Sequence, residues 1–194
     1  GTSHLDVEGC VDTDGDGYSD NGGDLLGCAS ICDAFDSDAS QWADTDSDGF
    51  GDNSNGTNPD DCPNTYGESW RDRNGCADLD SDGQSDLNDA FWNEETQWTD
   101  EDGDNLGDNW ADGALNNTRP TQWPGIWVED ASNPDPKPLD FDNDGFEDSD
   151  LINATTPFDN CELTYGTSTI NQFGCIDSDL DGYSDSGDSF PAIS

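Results

Sequence analysis

The chain has 194 residues, of which 47 are acidic and only four are basic (Arg71, Arg73, Arg119 and Lys137), and its formal net charge is −43. Because only 29% of its residues are hydrophobic, too little apolar surface is available to offset the entropy of ordering a conventional core. The charge excludes nucleic acid as a partner, since phosphate would be repelled. No apolar run approaches the ~20 residues needed to span a bilayer.

A nine-residue pattern, D-x-D-x-D-G-x-x-D, occurs six times along the chain. We call the copies loops 1 to 6 and number the residues of each loop from 1 to 9. The single departure is Asn105, which stands at residue 6 of loop 4 where the other loops have Gly. Asn tolerates a left-handed backbone, so we expect loop 4 to close as well. The loops span 12–20, 44–52, 78–86, 100–108, 140–148 and 177–185.

The spacing of these aspartates is typical of a calcium loop. In such a loop the side chains of residues 1, 3 and 5 point to one centre, residue 7 offers its backbone carbonyl, and residue 9 acts directly or through water. Hard oxygen ligands disfavour zinc, and the number of protein ligands disfavours magnesium. We therefore predict six or more calcium ions. The predicted ligands are Asp12, Asp14, Asp16, Tyr18 and Asp20; Asp44, Asp46, Asp48, Phe50 and Asp52; Asp78, Asp80, Asp82, Gln84 and Asp86; Asp100, Asp102, Asp104, Leu106 and Asp108; Asp140, Asp142, Asp144, Phe146 and Asp148; and Asp177, Asp179, Asp181, Tyr183 and Asp185.

A calcium loop is often completed by a carboxylate at position 12. Loops 3 and 6 have one there, Asp89 and Asp188. The other four loops have Gly23, Asn55, Ala111 and Leu151 at that position. These four loops therefore need a last ligand from nearby in the chain. The candidates are Asp24, Asp60, Asp61, Asp112 and Asp159.

A longer repeat surrounds the loops. The restart segments, 1–10, 67–76 and 166–175, share a Gly-x-Ser-like start and a Gly-Cys end. They divide the chain into a unit 1–66 with two loops and an insertion at 21–32, a unit 67–165 with three loops, and a partial unit 166–194 with one loop. The second unit carries a Trp/Pro-rich insertion, 113–139. We expect aromatic residues to pack as small plugs between successive loops, with Trp123 and Trp127 as candidate exceptions that contact carbohydrate.

The seven cysteines indicate an oxidising, extracellular or cell-surface setting. Two pairs 14 residues apart bracket the same motif, so we predict the disulfides Cys62–Cys76 and Cys161–Cys175, each worth ~3 kcal/mol. Cys28 is predicted to pair with Cys32. Cys10 remains open: its partner lies on a removed segment or a neighbouring chain, or is Cys28 or Cys32. Three sequons are candidate glycosylation sites, at Asn55, Asn116 and Asn153.

These loops, together with the Asp-Cys-Pro junction at 61–63, the Asn-Cys junction at 160–161 and the Gly-Cys restarts, resemble thrombospondin type 3 repeats, including those of bacterial and archaeal surface proteins. The resemblance implies an irregular, elongated, disulfide-linked array with little regular secondary structure, stapled by rows of calcium ions at up to two ions per loop. It implies a structural or adhesive role outside the cell. Dockerin modules share the loop, but no amphipathic helical pattern follows any copy here.

Three hypotheses for function follow. The first is a calcium-rigidified spacer or subunit of a surface layer, stalk or fibre, with a filament of identical copies as its specific form. The second is an adhesive module that binds glycans or a partner protein through the Trp-rich insertion. The third, a hydrolase with paired carboxylates, is the weakest, because the close carboxylates are already explained by metal loops; we expect no catalytic activity. The chain has no Met, so we expect a processed product or a segment of a longer precursor.

Overall fold

The part of the chain that the structure describes has almost no regular secondary structure. The computed structural model describes residues 1–6, 9–20, 32–149, 151 and 154–192. Within these ranges there is one 3₁₀ turn, Leu115–Asn117, besides isolated β-bridges, and neither an α-helix nor a sheet. The predicted irregular fold is therefore confirmed. In the same part of the chain, no helix has the length and apolarity to cross a membrane.

The interior is polar. Among the described residues, and leaving glycine and proline aside, five apolar residues are buried against twenty polar or charged ones, and eleven of those twenty are aspartates. Leu139, 1% exposed, is the largest side chain that is fully buried. Carboxylates are costly to bury unless they are neutralised or paired. A cation or a proton that neutralises these carboxylates would therefore stabilise such an interior.

The chain forms two compact units, Gly1–Asn93 and Glu94–Ser194. The first contains loops 1 to 3 and the second contains loops 4 to 6. The boundary between these units, after Asn93, differs from the boundaries of the sequence repeat at 66/67 and 165/166. The reason is covalent, since the disulfides Cys62–Cys76 and Cys161–Cys175 each join the two sides of a repeat boundary.

The two disulfides predicted from the repeat are present, each with Cα atoms 5.1 Å apart. Each ties the end of one loop region to the restart segment of the next loop. The predicted pairing of Cys28 with Cys32 concerns Cys28, which lies outside the described residues. Cys10 is buried and Cys32 is half-buried.

The three restart segments contact their loops in the same way. Two consecutive backbone amides of each segment donate to the carbonyl oxygen of residue 6 in the loop that follows. The side chain directly after this pair then holds residue 8 of the loop. Asp72, for example, accepts hydrogen bonds from the amide and hydroxyl of Ser85, at 2.9 and 2.7 Å. The restart segments therefore brace loops 1, 3 and 6. The accepting carbonyls belong to Gly17, Gly83 and Gly182.

Aromatic contacts join neighbouring loop regions at two places. Tyr18, residue 7 of loop 1, stacks on Trp42, which lies just before loop 2, with ring centroids 5.5 Å apart. Phe146, residue 7 of loop 5, packs against Phe173 of the restart segment before loop 6, also at 5.5 Å. At these two positions, the expected plugs are formed by the side chain of residue 7.

Candidate metal-binding loops

The aspartates at residues 1, 3 and 5 converge in each of loops 1 to 5. Six groups of His, Cys, Asp or Glu side chains in the described chain each bring at least three potential ligand atoms within 4.8 Å of one another, and five of these groups are these loop triads. The structure thus places the predicted side chains close enough to share one cation. The triads are Asp12, Asp14 and Asp16; Asp44, Asp46 and Asp48; Asp78, Asp80 and Asp82; Asp100, Asp102 and Asp104; and Asp140, Asp142 and Asp144.

Backbone amides orient these carboxylates. In all six loops the amide of residue 7 donates to Oδ1 of residue 5, at 2.7–3.0 Å. In loops 2, 3, 4 and 6 the carboxylate of residue 1 also accepts from the amides of residues 4 and 6. These short turns hold the side chains toward the loop centre, so the site is shaped before a ligand arrives.

Two residues in every loop have a left-handed backbone. Residue 6 was predicted to have this backbone conformation, and Asn105 has it in loop 4, with φ 70°. The structure adds residue 4, which is Gly, Ser or Asn in five loops and Leu180 in loop 6, where φ is 62°. A left-handed conformation costs a non-glycine residue about 1–2 kcal/mol. The sequence signal at residue 4 was a preference for small or polar residues, which Leu180 masks.

Residue 9 closes the loop onto its own start. In all six loops its backbone amide donates to the carbonyl of the residue preceding the loop. Its carboxylate accepts from the amide of residue 2, at 2.7–3.5 Å. In loops 1, 2 and 6 the hydroxyl at residue 2 donates to the other carboxylate oxygen. Residue 9 therefore braces the loop, and its part in metal binding stays a prediction.

Each loop is completed by an aspartate that lies further along the chain. In five loops the backbone amide of this residue donates to the carbonyl of loop residue 8, at 2.7–3.0 Å. The donor and acceptor pairs are Asp33 and Ser19, Asp60 and Gly51, Asp135 and Gly107, Asp159 and Glu147, and Asp188 and Ser184. With Asp89 of loop 3, we call these residues the closing aspartates.

The closing aspartates share one side-chain conformation. In all six, Oδ1 accepts a hydrogen bond from the amide two residues later, at 2.6–2.9 Å. Asp60, Asp135 and Asp159 are 6%, 2% and 2% exposed, and in each the buried Oδ2 has no hydrogen-bond partner. A buried carboxylate oxygen without a partner is costly. A cation at the loop centre would remove that cost.

Two glycines show where the closing aspartates point. At Gly75, a Cβ atom would meet the carboxylates of both Asp60 and Asp48, the latter being residue 5 of loop 2. At Gly174, it would meet those of Asp159 and Asp144 in loop 5. In both loops the closing carboxylate therefore faces the triad, and the restart segment packs directly over the two.

The closing aspartates of loops 2, 3, 5 and 6 are among the residues predicted from the sequence, whereas those of loops 1 and 4 are not. Asp33 completes loop 1 from beyond the 21–32 insertion, most of which lies outside the described residues, as does the candidate Asp24. Asp135 completes loop 4 from inside the 113–139 insertion. The candidate Asp112 is exposed, and its Oδ1 instead accepts a hydrogen bond from the amide of Ala114.

A sequence signal for Asp135 did exist. Loops 2 and 4 are each preceded by a buried glutamine that holds the returning chain. The Gln97 side chain donates to the carbonyls of Asn109 and Ser132 and accepts from the Asn109 amide. Gln41 makes the same three bonds to Asn53 and Thr57. The residues after Thr57 and Ser132 are Asn-Pro-Asp in both cases, ending at the closing aspartate.

Four of the closing aspartates have pKa values well above the usual 3.8 of an aspartate. Burial raises the pKa of Asp135 to about 8; the Lys137 amide opposes this rise, and the carboxylates of Asp102, Asp104 and Asp108 add to it. Burial likewise raises the pKa of Asp33, Asp60 and Asp89 to about 6, with repulsion from the loop aspartates among the causes. A nearby divalent cation reverses this balance, since it favours the ionised form.

The Trp-rich insertion is anchored to loop 4. The Arg119 guanidinium lies over the rings of Trp110 and Trp123, 4.5 and 5.1 Å from their centroids. It also donates to the carbonyl oxygen of Asp108, at 3.0 Å. Trp123 is half-buried, and its indole donates to Glu147 of loop 5. Trp123 is therefore a packing residue, whereas Trp127 is 47% exposed.

Two of the three candidate glycosylation sites fall in the described chain, and both are exposed. Asn55 lies between loop 2 and its closing aspartate, and Asn116 lies between loop 4 and its own. The Oδ1 of Asn116 accepts a hydrogen bond from the Trp110 indole, at 2.8 Å. Asn153 lies outside the described residues. Glycosylation remains a prediction at all three.

The donor set fits a hard divalent cation. It consists of carboxylate oxygens from one loop and a nearby closing carboxylate, which is ligand chemistry that suits calcium. No protein-family model matches the chain, and no curated protein matches it. The geometry of the chain itself defines its class. It is an irregular, disulfide-linked chain with acidic clusters that are able to hold metal ions.

Proposed function

We propose that the chain is a calcium-binding structural protein of the cell exterior, in which calcium at six loops replaces an apolar core. The observation that carries this proposal is the set of closing aspartates. Asp60, Asp135 and Asp159 are almost fully buried, each keeps one carboxylate oxygen without a hydrogen-bond partner, and Asp60 and Asp159 face the loop triads. The two disulfides indicate a non-cytoplasmic protein.

The finer form of the proposal is an elongated array similar to thrombospondin type 3 repeats. It would act as a rigid spacer or as a subunit of a surface layer, stalk or fibre, including a filament of identical copies. The repeated loop, closing aspartate and restart segment support this form, because the same construction can be continued along a chain. Electron microscopy of native material tests it, and isolated particles in calcium would argue against a filament.

Chelation tests the central claim. In excess EGTA, the clustered carboxylates repel and little apolar surface resists expansion. We expect a lower sedimentation coefficient and a changed far-UV circular dichroism spectrum, both restored by calcium. Native mass spectrometry should count six or more calcium ions per chain. Unchanged sedimentation and spectra in EGTA would remove the basis of the proposal.

A second function, adhesion to glycans or to a partner protein, is favoured by one observation. Trp127 and its neighbour Ile126 are 47% and 53% exposed on the insertion. Exposed tryptophan suits contact with a sugar ring or a protein. Replacing Trp127 by Ala should abolish binding on a glycan array. Trp70, 60% exposed in the other compact unit, provides the matched control when changed to Ala.

We propose no catalytic role. In the described part of the chain, five of the six groups of potential metal ligands are residues 1, 3 and 5 of the loops, and the proposed metal binding accounts for them. Paired carboxylates of a hydrolase need one acid and one base with separate environments. In these triads the three side chains instead converge on one centre. A broad hydrolase screen in calcium should therefore give no activity above background.

A further inference from the structure

Lys137 is the only lysine of the chain, and it lies between loops 4 and 5. Its backbone is fixed on both sides. The Lys137 amide donates to Oδ1 of the closing aspartate Asp135, at 2.7 Å. Its carbonyl accepts from the amides of Leu139 and Asp140, at 2.8 and 3.1 Å. The following residues, Pro138 and Leu139, are fully buried. The position of the lysine is therefore set by the fold.

The lysine side chain reaches back onto loop 5. Its ammonium nitrogen lies 3.4 Å from Oδ2 of Asp140, residue 1 of the loop. That oxygen also accepts the amide of Gly145, at 2.7 Å. A Cβ atom at Gly145 would come within 2.9 Å of the ammonium. Asp140 is 1% exposed while the lysine side chain is 37% exposed, so the positive charge covers the outer side of a buried ligand.

No other loop has a cation at this place in the sequence. Three residues before the first aspartate, loops 1, 3 and 6 have Gly9, Gly75 and Gly174, and loops 2 and 4 have the buried glutamines Gln41 and Gln97. In loop 5, therefore, a charged side chain stands where related loops have a neutral one. An ammonium attracts the carboxylates of an empty loop and repels a calcium ion that enters it.

We infer that Lys137 is a resident cation of loop 5, which holds this loop in shape without calcium and lowers its calcium affinity. The inference rests on the proposed calcium function and adds an order in which the loops bind calcium. Loop 5 keeps its local structure when calcium is scarce and takes its ion after loop 2, where the neutral Gln41 stands in place of the lysine. Calcium that binds there does so against the repulsion of the ammonium.

The test compares Lys137→Gln with the unchanged chain in a calcium titration followed by NMR of backbone amides. We expect the Gly145 signal to report about tenfold tighter binding in Lys137→Gln, because one like charge is removed beside the site. The signal of Gly49 in loop 2 should be unaffected. Lys137→Arg keeps the charge and should behave like the unchanged chain. Arg73→Gln makes the same change in net charge within the other compact unit and should leave loop 5 unaltered.

A calcium-free experiment separates this inference from the proposed function. In EGTA, amide hydrogen exchange at Gly145 should be about tenfold faster in Lys137→Gln than in the unchanged chain, because the carboxylate that accepts this amide loses its counter-charge. Unchanged exchange together with unchanged affinity would overturn the inference. If no loop responds to calcium, the proposed function fails, while faster exchange at Gly145 would still support the role of Lys137 as a cation that holds the loop.

Discussion

The amide of Asp135 donates a 2.7 Å hydrogen bond to the carbonyl of Gly107, although most of the Trp-rich insertion separates the two residues in the chain. The same bond joins Asp60 to Gly51 in loop 2 across a much shorter return, at 2.9 Å. The insertion therefore lengthens the segment between loop 4 and its closing aspartate, while the closing aspartate keeps the same hydrogen bond to loop residue 8. This relationship makes Asp135 the last ligand of loop 4 in the proposed array.

Replacing Asp135 by Asn should weaken calcium binding at loop 4 while keeping its shape. The amide side chain can still accept the hydrogen bond from Lys137 but carries no charge for the ion. We expect a loss of at least roughly 100-fold in affinity at this loop, because losing a ligand should cost no less than losing an outer partner of a ligand, which costs up to about 100-fold. Native mass spectrometry at limiting calcium should count one ion fewer. Asp112→Asn, an exposed change in the same insertion, should retain the full count.

Replacing Gln97 by Ala should destabilise the return of the chain to loop 4. The change leaves the amide and carbonyl of Asn109 and the carbonyl of Ser132 without partners in the interior. Since a buried group that loses its partner costs about 1–3 kcal/mol, we expect a total loss of about 3 kcal/mol in the free energy of unfolding. Urea unfolding in saturating calcium measures this. Gln122→Ala, at an exposed position of the insertion, should change it by less than about 0.5 kcal/mol.

Replacing Leu180 by Gly should stabilise the chain. Leu180 is 74% exposed and has a left-handed backbone, so its side chain contributes little packing and incurs a steric cost. We expect a gain of about 1 kcal/mol from relief of that cost, less the entropy of the added glycine. Leu79→Gly is the matched control, since Leu79 is 62% exposed in loop 3 without a positive φ. It should lower stability by about 0.5–1 kcal/mol, and an equal effect of both changes would contradict the backbone argument.

Calcium binding should release protons at neutral pH. In the calcium-free fold, burial raises the pKa of Asp135 to about 8 and that of Asp148 to about 7, from a usual 3.8. The folded chain then binds more protons than the unfolded chain between pH 4 and 8. These groups therefore stabilise the calcium-free fold fully below about pH 4, and this contribution is lost as the pH rises through 7 and 8.

Because calcium needs the ionised carboxylates, its affinity should fall as the pH is lowered from 8 to 5. Titration calorimetry at pH 7 in two buffers of different ionisation enthalpy measures the protons released. The release should shrink at pH 9 and be smaller in Asp135→Asn at pH 7. A release that is the same at both pH values would show that these carboxyl groups are already ionised.

The loops could be predicted from the sequence because their spacing is local. Residues 1, 3 and 5 lie within one short turn, so a repeat of aspartates at that spacing converges wherever the backbone can bend, and Gly or Asn105 at residue 6 allows the bend. The disulfides were also predictable, because both cysteine pairs bracket the same restart segment at the same separation. The left-handed backbone at residue 4 was not predictable, because Leu180 hides the preference for small residues at this position.

The sequence by itself thus determined the chemistry of this protein: an acidic chain without an apolar core, six oxygen-rich loops and two disulfide-linked restarts. Only the tertiary structure decided which aspartate completes each loop. Asp33 and Asp135 are brought to their loops by hydrogen bonds to residue 8, across insertions that have no fixed length. Such a contact depends on where the chain returns and not on sequence spacing, so the last carboxylate of a loop is visible only once the chain has folded around it.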